Sequence, residues 1–172
     1  MDLAIRNRHN PATLNPVLAF AEASMAAHVF HEIYLHLTWH TKGSRPLITS
    51  QLEPEVFEFF RARCAKTRGV YLHGINGTAT HVHLAINFEP HVTISDLVGE
   101  LKGASSFELN KAHGSKILQW QRGFGGVSFG KKNLPWVLAY VANQKQHHAA
   151  GTTIERLECA DHEDELDPET TG

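Results

Sequence analysis

Nothing in this chain restricts its fold as much as the run His81-Val82-His83-Leu84-Ala85-Ile86-Asn87-Phe88. Val82, Leu84, Ile86 and Phe88 occupy alternate positions, and His81 and His83 fall between them. Side chains on a β-strand point alternately to opposite faces, so this segment predicts a strand with one apolar side in a core and both imidazoles on the other. A second alternating run starts at Val29. Ile33, Leu35, Leu37 and Trp39 share one side with Val29, and Glu32, Tyr34, His36, Thr38 and His40 share the other. Both runs read as half-buried strands of an antiparallel sheet.

The segments between and beyond these runs change period. Gly43, Ser44 and Pro46 break the chain, and Leu52 to Thr67 then places Val56, Phe57, Phe60 and Ala65 near helical spacing, with Gly69 as a stop. Val70 to Asn76 is a short β-rich run joined to His81–Phe88 by a hairpin around Gly77. Thr93 to Ala112 predicts a second helix from Ile94, Leu97, Val98 and Leu101. Leu118 to Phe129, with Gly123, Gly125 and Gly126, predicts a strand pair or a bent strand, and a last helix starts near Asn133. Its apolar stripe is Leu134, Val137, Leu138 and Val141. This order predicts an α+β fold: a ferredoxin-like or RRM-like antiparallel sheet with helices on one face, an open opposite face and a C-terminal helix.

At 172 residues the chain is long enough for one core and too short for two full-sized domains. A hydrophobic share of 42% and a charged share of 20% exclude collagen-like, low-complexity and wholly disordered classes. There is no eighteen-residue apolar run and no clear secretory pattern, so the expected location is cytoplasmic, away from membranes. Cys64 and Cys159 are far apart and are expected to be free thiols. Residues 1–26 read as a disordered extension, 27–157 as the folded domain and 158–172 as a disordered acidic tail.

The net charge of −2 conceals an asymmetry. Residues 158–172 hold seven acids and no Lys or Arg, so the chain before them carries +5. Within Leu101 to Lys145, seven bases face the single acid Glu108. Such a field favours a polyanionic partner, although a solvated basic face produces the same composition.

Two constellations carry candidate chemistry. His81 and His83, one strand repeat apart, can approach a single divalent ion through neutral imidazole nitrogens, or serve simply as polar-face residues. Tyr140 and Gln144, four apart on the last helix, lie one above the other beside Trp136 and His147, on a polar face away from the apolar stripe. Alone, each is as readily an ordinary surface residue.

Together they form a pattern. His-x-His on a sheet followed by Tyr-x-x-x-Gln on a helix resembles the single-tyrosine HUH transposases of the "insertion sequence 200" type. The likeness spans residues 27–148. It includes Gly77-Thr78-Ala79-Thr80-His81-Val82-His83, Leu101-Lys102-Gly103-Ala104-Ser105-Ser106, Trp120-Gln121-Arg122-Gly123-Phe124-Gly125 and the stretch from Tyr140 to His148. The resemblance implies that residues 27–157 form a HUH catalytic domain. Tyr140 would be the nucleophile, and His81, His83 and Gln144 the ligands of a Mg²⁺ or Mn²⁺ ion. It further implies a 5′-phosphotyrosine intermediate on single-stranded DNA with hairpin ends, and a homodimer whose tyrosine helices can complete each other's active sites in trans. Thr80 departs from the family, which commonly has an acid before the first histidine.

These roles suit the chemistry. A phenol with a reference pKa near ~10 needs its developing phenolate stabilised. A divalent ion polarises a non-bridging phosphate oxygen. Imidazole ligands favour manganese over magnesium. Phosphotyrosine linkage conserves the phosphodiester bond energy, so strands can be rejoined without ATP. Lys102, Arg122, Lys131 and Lys132 are candidate phosphate contacts, and Trp120, Phe124 and Trp136 are candidates for base stacking or for the core. The competing functions are a non-catalytic or domesticated nucleic-acid-binding module of the same fold, and a phosphoesterase that uses water as nucleophile.

Overall fold

The structure is a computed structural model that describes residues 30–160. The chain divides into two units, Met1–Phe30 and His31–Gly172, and all elements below belong to the second. The expected extension at 1–26 lies outside the described residues, as does 161–172 of the expected acidic tail.

Four strands, β1 (Tyr34–His40), β2 (Val70–Gly77), β3 (His81–Phe88) and β4 (Gly125–Phe129), form one sheet in the order β2-β3-β1-β4 with every neighbouring pair antiparallel. Helix α1 (Glu53–Lys66) connects β1 to β2, and α2 (Ile94–Ala112) connects β3 to β4. This is the ferredoxin-like plait expected from the sequence. Val29 lies outside the described residues, and β1 begins at Tyr34.

The register explains the core. Leu37 pairs with Leu84, Trp39 with Val82 and Leu35 with Ile86, so the apolar sides of the two central strands form one continuous surface. Helices α1 and α2 cover it with Val56, Phe60, Leu97, Val98 and Leu101, all nearly or fully buried. Burying each such aliphatic side chain stabilises the fold by ~1.5–3 kcal/mol. Helix α1 starts with Pro54 and with Glu53 and Glu55 in its first turn, and carries Arg63 and Lys66 in its last, the charge order that a helix dipole favours.

The second face of the sheet differs from expectation. It is covered by the C-terminal segment: α3 (Leu134–Ala142), α4 (Gln144–Ala150) and α5 (Glu155–Glu158). Ala85, small and central on this face, accommodates Val137 and Val141, and Phe129 and Leu138 pack around them. Close seating also depends on Gly74, where the β2–β3 register shifts: a Cβ there would lie 2.7 Å from Leu138 Cδ2. On β4, a Cβ on Gly125 would lie 1.8 Å from the Cys159 carbonyl oxygen, so only glycine admits the chain end there. The side expected to be open is therefore an interior, and His36, Thr38, His81 and His83 are buried on it.

Two further expectations are refined. The last helix breaks at Asn143 (φ −102°, ψ 20°), whose side-chain amide donates to Ala139 O at 2.8 Å; asparagine competes with the helical backbone in this way. In the Leu118–Phe129 stretch only 125–129 forms a strand, with Trp120 making an isolated bridge to Thr41. Glu158, counted with the acidic tail by composition, is the last residue of α5.

Candidate functional site

His81 and His83 descend from β3 into the space under the C-terminal helices, and each has one ring nitrogen already engaged. His81 Nδ1 lies 3.0 Å from both the Thr78 and Thr80 hydroxyls. Thr80, the departure from the family pattern, thus orients the first histidine from within the β2–β3 hairpin. His83 Nδ1 lies 2.9 Å from His36 Nε2, one nitrogen donating to the other. His36 and His83 are diagonal neighbours across β1 and β3, because Thr38 pairs with His83 and His36 with Ala85. The Nε2 atoms of His81 and His83 are buried without a hydrogen bond among the described residues.

Tyr140 is only 4% exposed, although its position off the apolar stripe predicted a polar outer face. Its ring stacks between Trp136 (centroids 6.0 Å apart) and His147 (4.8 Å) and presents an edge to His36 and His83. The phenolic OH accepts a hydrogen bond from Ile154 N–H at 3.0 Å and donates to Glu158 Oε1. Gln144 is fully buried, again against expectation: its Nε2 donates to Tyr140 O at 3.4 Å, and its Oε1 has no hydrogen bond among the described residues. Tyr140 turns inward beside Val137 and Val141, its ring against His36 and His83 of the sheet, and Ile154 and Glu158 close over its hydroxyl.

Glu158 joins these groups. Its Oε2 lies 3.3 Å from His83 Nε2, 3.6 Å from His81 Nε2 and 3.2 Å from His148 Nε2, and only the last contact has hydrogen-bond alignment. His148 also packs against His81, with ring centroids 4.6 Å apart. One ligand atom from each of His81, His83, His148 and Glu158 fits within 4.8 Å of the others. Donors placed ~2.1 Å from one ion stand up to ~4.2 Å apart, so small side-chain adjustments suffice to hold one. Orphaned Nε2 atoms on His81 and His83 and an orphaned Oε1 on Gln144 are the donor types a divalent transition ion takes, and the residues present fit such an ion.

Electrostatics keep the donors in ligand form. Burial, reinforced by His83, holds His81 at about 3, and burial with His83 likewise holds His36 at about 3. Burial also pushes His83 down. All three imidazoles are therefore neutral at physiological pH, with lone pairs to give. Burial raises the Glu158 carboxyl, but the surrounding His83, Tyr140 and His81 outweigh it and hold it at about 2, so it is ionised. Burial and the Glu158 hydrogen bond push the Tyr140 phenol upward, partly opposed by Ile154 N–H and Gln144. The phenol is protonated at rest.

The four candidate phosphate-binding residues do not converge on this centre. Lys102 Nζ donates to Gly123 O at 2.6 Å, Lys131 pairs with Glu32 at 3.1 Å, Lys132 is exposed in the turn before α3, and Arg122 is exposed in the loop before β4. Trp120 belongs to the core, against Trp39 and Phe60, with its indole N–H donating to Ser105 Oγ at 2.9 Å. Phe124 packs on the same core, while Trp136 is exposed beside Tyr140. A cavity of 500 Å³ lined by Ile48, Ser50, Glu53, Thr78, Ala79, Lys145 and His148 opens next to the histidines.

Sequence reasoning missed His36, His148 and Glu158 as members of the centre. His36 carried a signal, since it shares the polar side of β1 with Thr38, and His148 ends the quoted tyrosine stretch. Glu158 carried none: in sequence it is one acid among seven.

Comparison with known proteins bears on the whole arrangement. The family described as "Transposase IS200 like" matches residues 29–144. A crystal structure from Deinococcus radiodurans R1, assigned as a transposase, is similar at 21% identity with a TM-score of 0.53, covering 69% of this chain and 95% of that one. The structure of a REP-associated tyrosine transposase bound to a REP hairpin is similar at 14% identity with a TM-score of 0.52, covering 74% of this chain and 76% of that one. No curated protein matches the chain. Both structures share its fold, and the family match runs from the first strand to Gln144, so the chain belongs to the IS200-like transposase family.

Proposed function

We propose that this chain cleaves and rejoins single-stranded DNA at insertion-sequence ends, with Tyr140 as the nucleophile and a divalent ion held by His81, His83 and Gln144. One observation carries the reading: the Tyr140 hydroxyl and the spare nitrogens of His81 and His83 face the same carboxylate within one chain. Tyr140 Oη attacks the scissile phosphorus, the bond from phosphorus to the 3′-oxygen breaks, and the DNA 5′-phosphate stays on the tyrosine. Glu158 Oε1, already the acceptor of the phenolic hydrogen bond, can take the proton, and the departing 3′-oxygen takes one from solvent water. Trp136 and His147 hold the ring between them, which fixes the angle of attack. The bound Mn²⁺ or Mg²⁺ would supply polarisation of the phosphate and charge stabilisation. Reversal by a 3′-hydroxyl rejoins the strand.

The hairpin bound by the REP-associated relative supports hairpin-ended DNA as the substrate, and a DNA substrate supports a cytoplasmic location. The exposed Lys132, with Arg122, Lys102 and Lys131, would attract the backbone. The proposed catalytic domain starts near residue 27 and extends through Glu158. In the proposed homodimer the tyrosine helix can serve its own subunit or its partner's; the contact of Tyr140 and His83 with one Glu158 within a single chain supports the cis arrangement. The test is incubation with single-stranded element ends and Mn²⁺: a denaturant-resistant protein–DNA adduct forms with the native chain, and Tyr140→Phe abolishes it while sparing DNA binding. DNA binding with no adduct from the folded, metal-loaded native protein would instead identify a binding module, and turnover without an adduct a water-dependent phosphoesterase.

A further inference from the structure

We propose that Glu158 is itself a ligand of the metal, carried to His81 and His83 by a C-terminal segment beyond the family match, with its other oxygen holding Tyr140. This rests on the metal-assisted reading above and adds a residue to it. The family match ends at Gln144, so α5 and all of α4 after its first residue lie outside it, yet they build one wall of the centre.

The segment is anchored at several points. Leu157 and Ala160 are buried, Ile154 N–H bonds the Tyr140 hydroxyl at 3.0 Å, and the Cys159 carbonyl occupies the space left by the missing side chain of Gly125. These contacts aim Glu158 inward: its side chain is 18% exposed, with Oε2 within 3.6 Å of three imidazole Nε2 atoms. Neither His81 nor His83 makes an aligned hydrogen bond to it. A half-buried carboxylate facing two unsatisfied buried nitrogens is costly by itself. A divalent cation between them satisfies all three groups at once. The set of imidazole nitrogens plus one carboxylate suits Mn²⁺ or a later divalent ion better than Mg²⁺. Metal binding must then also fasten residues 154–160 to the sheet, because their docking and the ion's coordination share one side chain.

The experiment compares the full-length protein with Glu158→Gln and His81→Ala, using MnCl₂ titration by calorimetry and amide hydrogen exchange with and without Mn²⁺. Loss of even an outer-shell partner of a metal ligand weakens binding ~10–100-fold, so Glu158→Gln is expected to weaken Mn²⁺ binding at least ~10-fold. In the native protein Mn²⁺ is expected to slow exchange across 154–160, and this protection should be missing in the variant. If Glu158→Gln binds Mn²⁺ like the native protein while His81→Ala does not, Glu158 is not a ligand although the metal reading stands. If the native protein itself binds no Mn²⁺, both readings fall. The exchange measurement on the native protein needs no variant to fold, and an unchanged rate at 154–160 on adding Mn²⁺ overturns the proposal by itself.

Discussion

His36 differs from the other histidines of the centre in having no carboxylate contact, yet it is 1% exposed and bonded to His83. That burial has a consequence in acid. His36 and His81 titrate near 6.5 when unfolded and are held at about 3 in the fold. Below pH 6.5 the unfolded chain takes up protons that the folded chain refuses, so the stability these residues contribute is complete above 6.5 and declines as pH falls toward 3. Each contributes a slope of ~1.4 kcal/mol per pH unit over that window. Glu158, held at about 2, acts in the same direction at lower pH, its contribution lost as pH falls through the carboxylate range. Urea unfolding in a chelator at pH 7, 6 and 5 should show this decline, and His36→Leu should remove about one histidine's share of the slope. A slope equal to that of the native protein would mean that His36 is not held neutral. At this scale the sequence was largely legible. His81 and His83 share a strand side by period, and the spacing of Tyr140 and Gln144 brings them to one place although Asn143 divides their helix. Glu158 was not legible, because no local period links an acid after α4 to a strand far earlier in the chain.

Elements set the distance between Tyr140 and the histidines, and α3 is placed chiefly by β2 and β3. Its contact with β2 passes over Gly74, where Leu138 Cδ2 fills the space a Cβ would need. Gly74→Ala should therefore push α3 outward and cost ~1–3 kcal/mol through overpacking. Because Tyr140 rides on the same helix, adduct formation should fall more steeply than DNA binding. Adding Leu138→Ala to Gly74→Ala clears the clash, so the double variant should recover adduct formation relative to Gly74→Ala. Failure of that recovery would show that Gly74 matters for the β2 bulge itself. Alternation alone does not reveal the roof that α3 to α5 form over the sheet. A strand side bearing His36, Thr38, His81 and His83 has the same pattern whether it meets water or a second layer whose polar atoms it can bond. The break at Asn143 is similarly hidden, since helical spacing continues through it and only the competing side-chain bond to Ala139 O interrupts the helix.

Across the whole molecule, charge opposes the fold's apparent task, because a protein that must approach DNA carries −2 overall. Six of its acids lie in residues 161–172, with no Lys or Arg among them, so the chain without that stretch carries +4. Truncation after Ala160 keeps Leu157, Glu158 and the seat of Cys159 against Gly125. The change removes six acidic charges. Affinity for unrelated single-stranded DNA should rise severalfold near 50 mM salt, because the loss of like-charge repulsion acts on every phosphate within a Debye length of ~14 Å or less. At 0.5 M salt, where that length shrinks to ~4 Å, truncated and full-length chains should bind alike. Fluorescence anisotropy with a labelled oligonucleotide across this salt range reads both. A difference that persists at high salt would mean that 161–172 occupies the DNA site directly, through contacts that screening does not weaken.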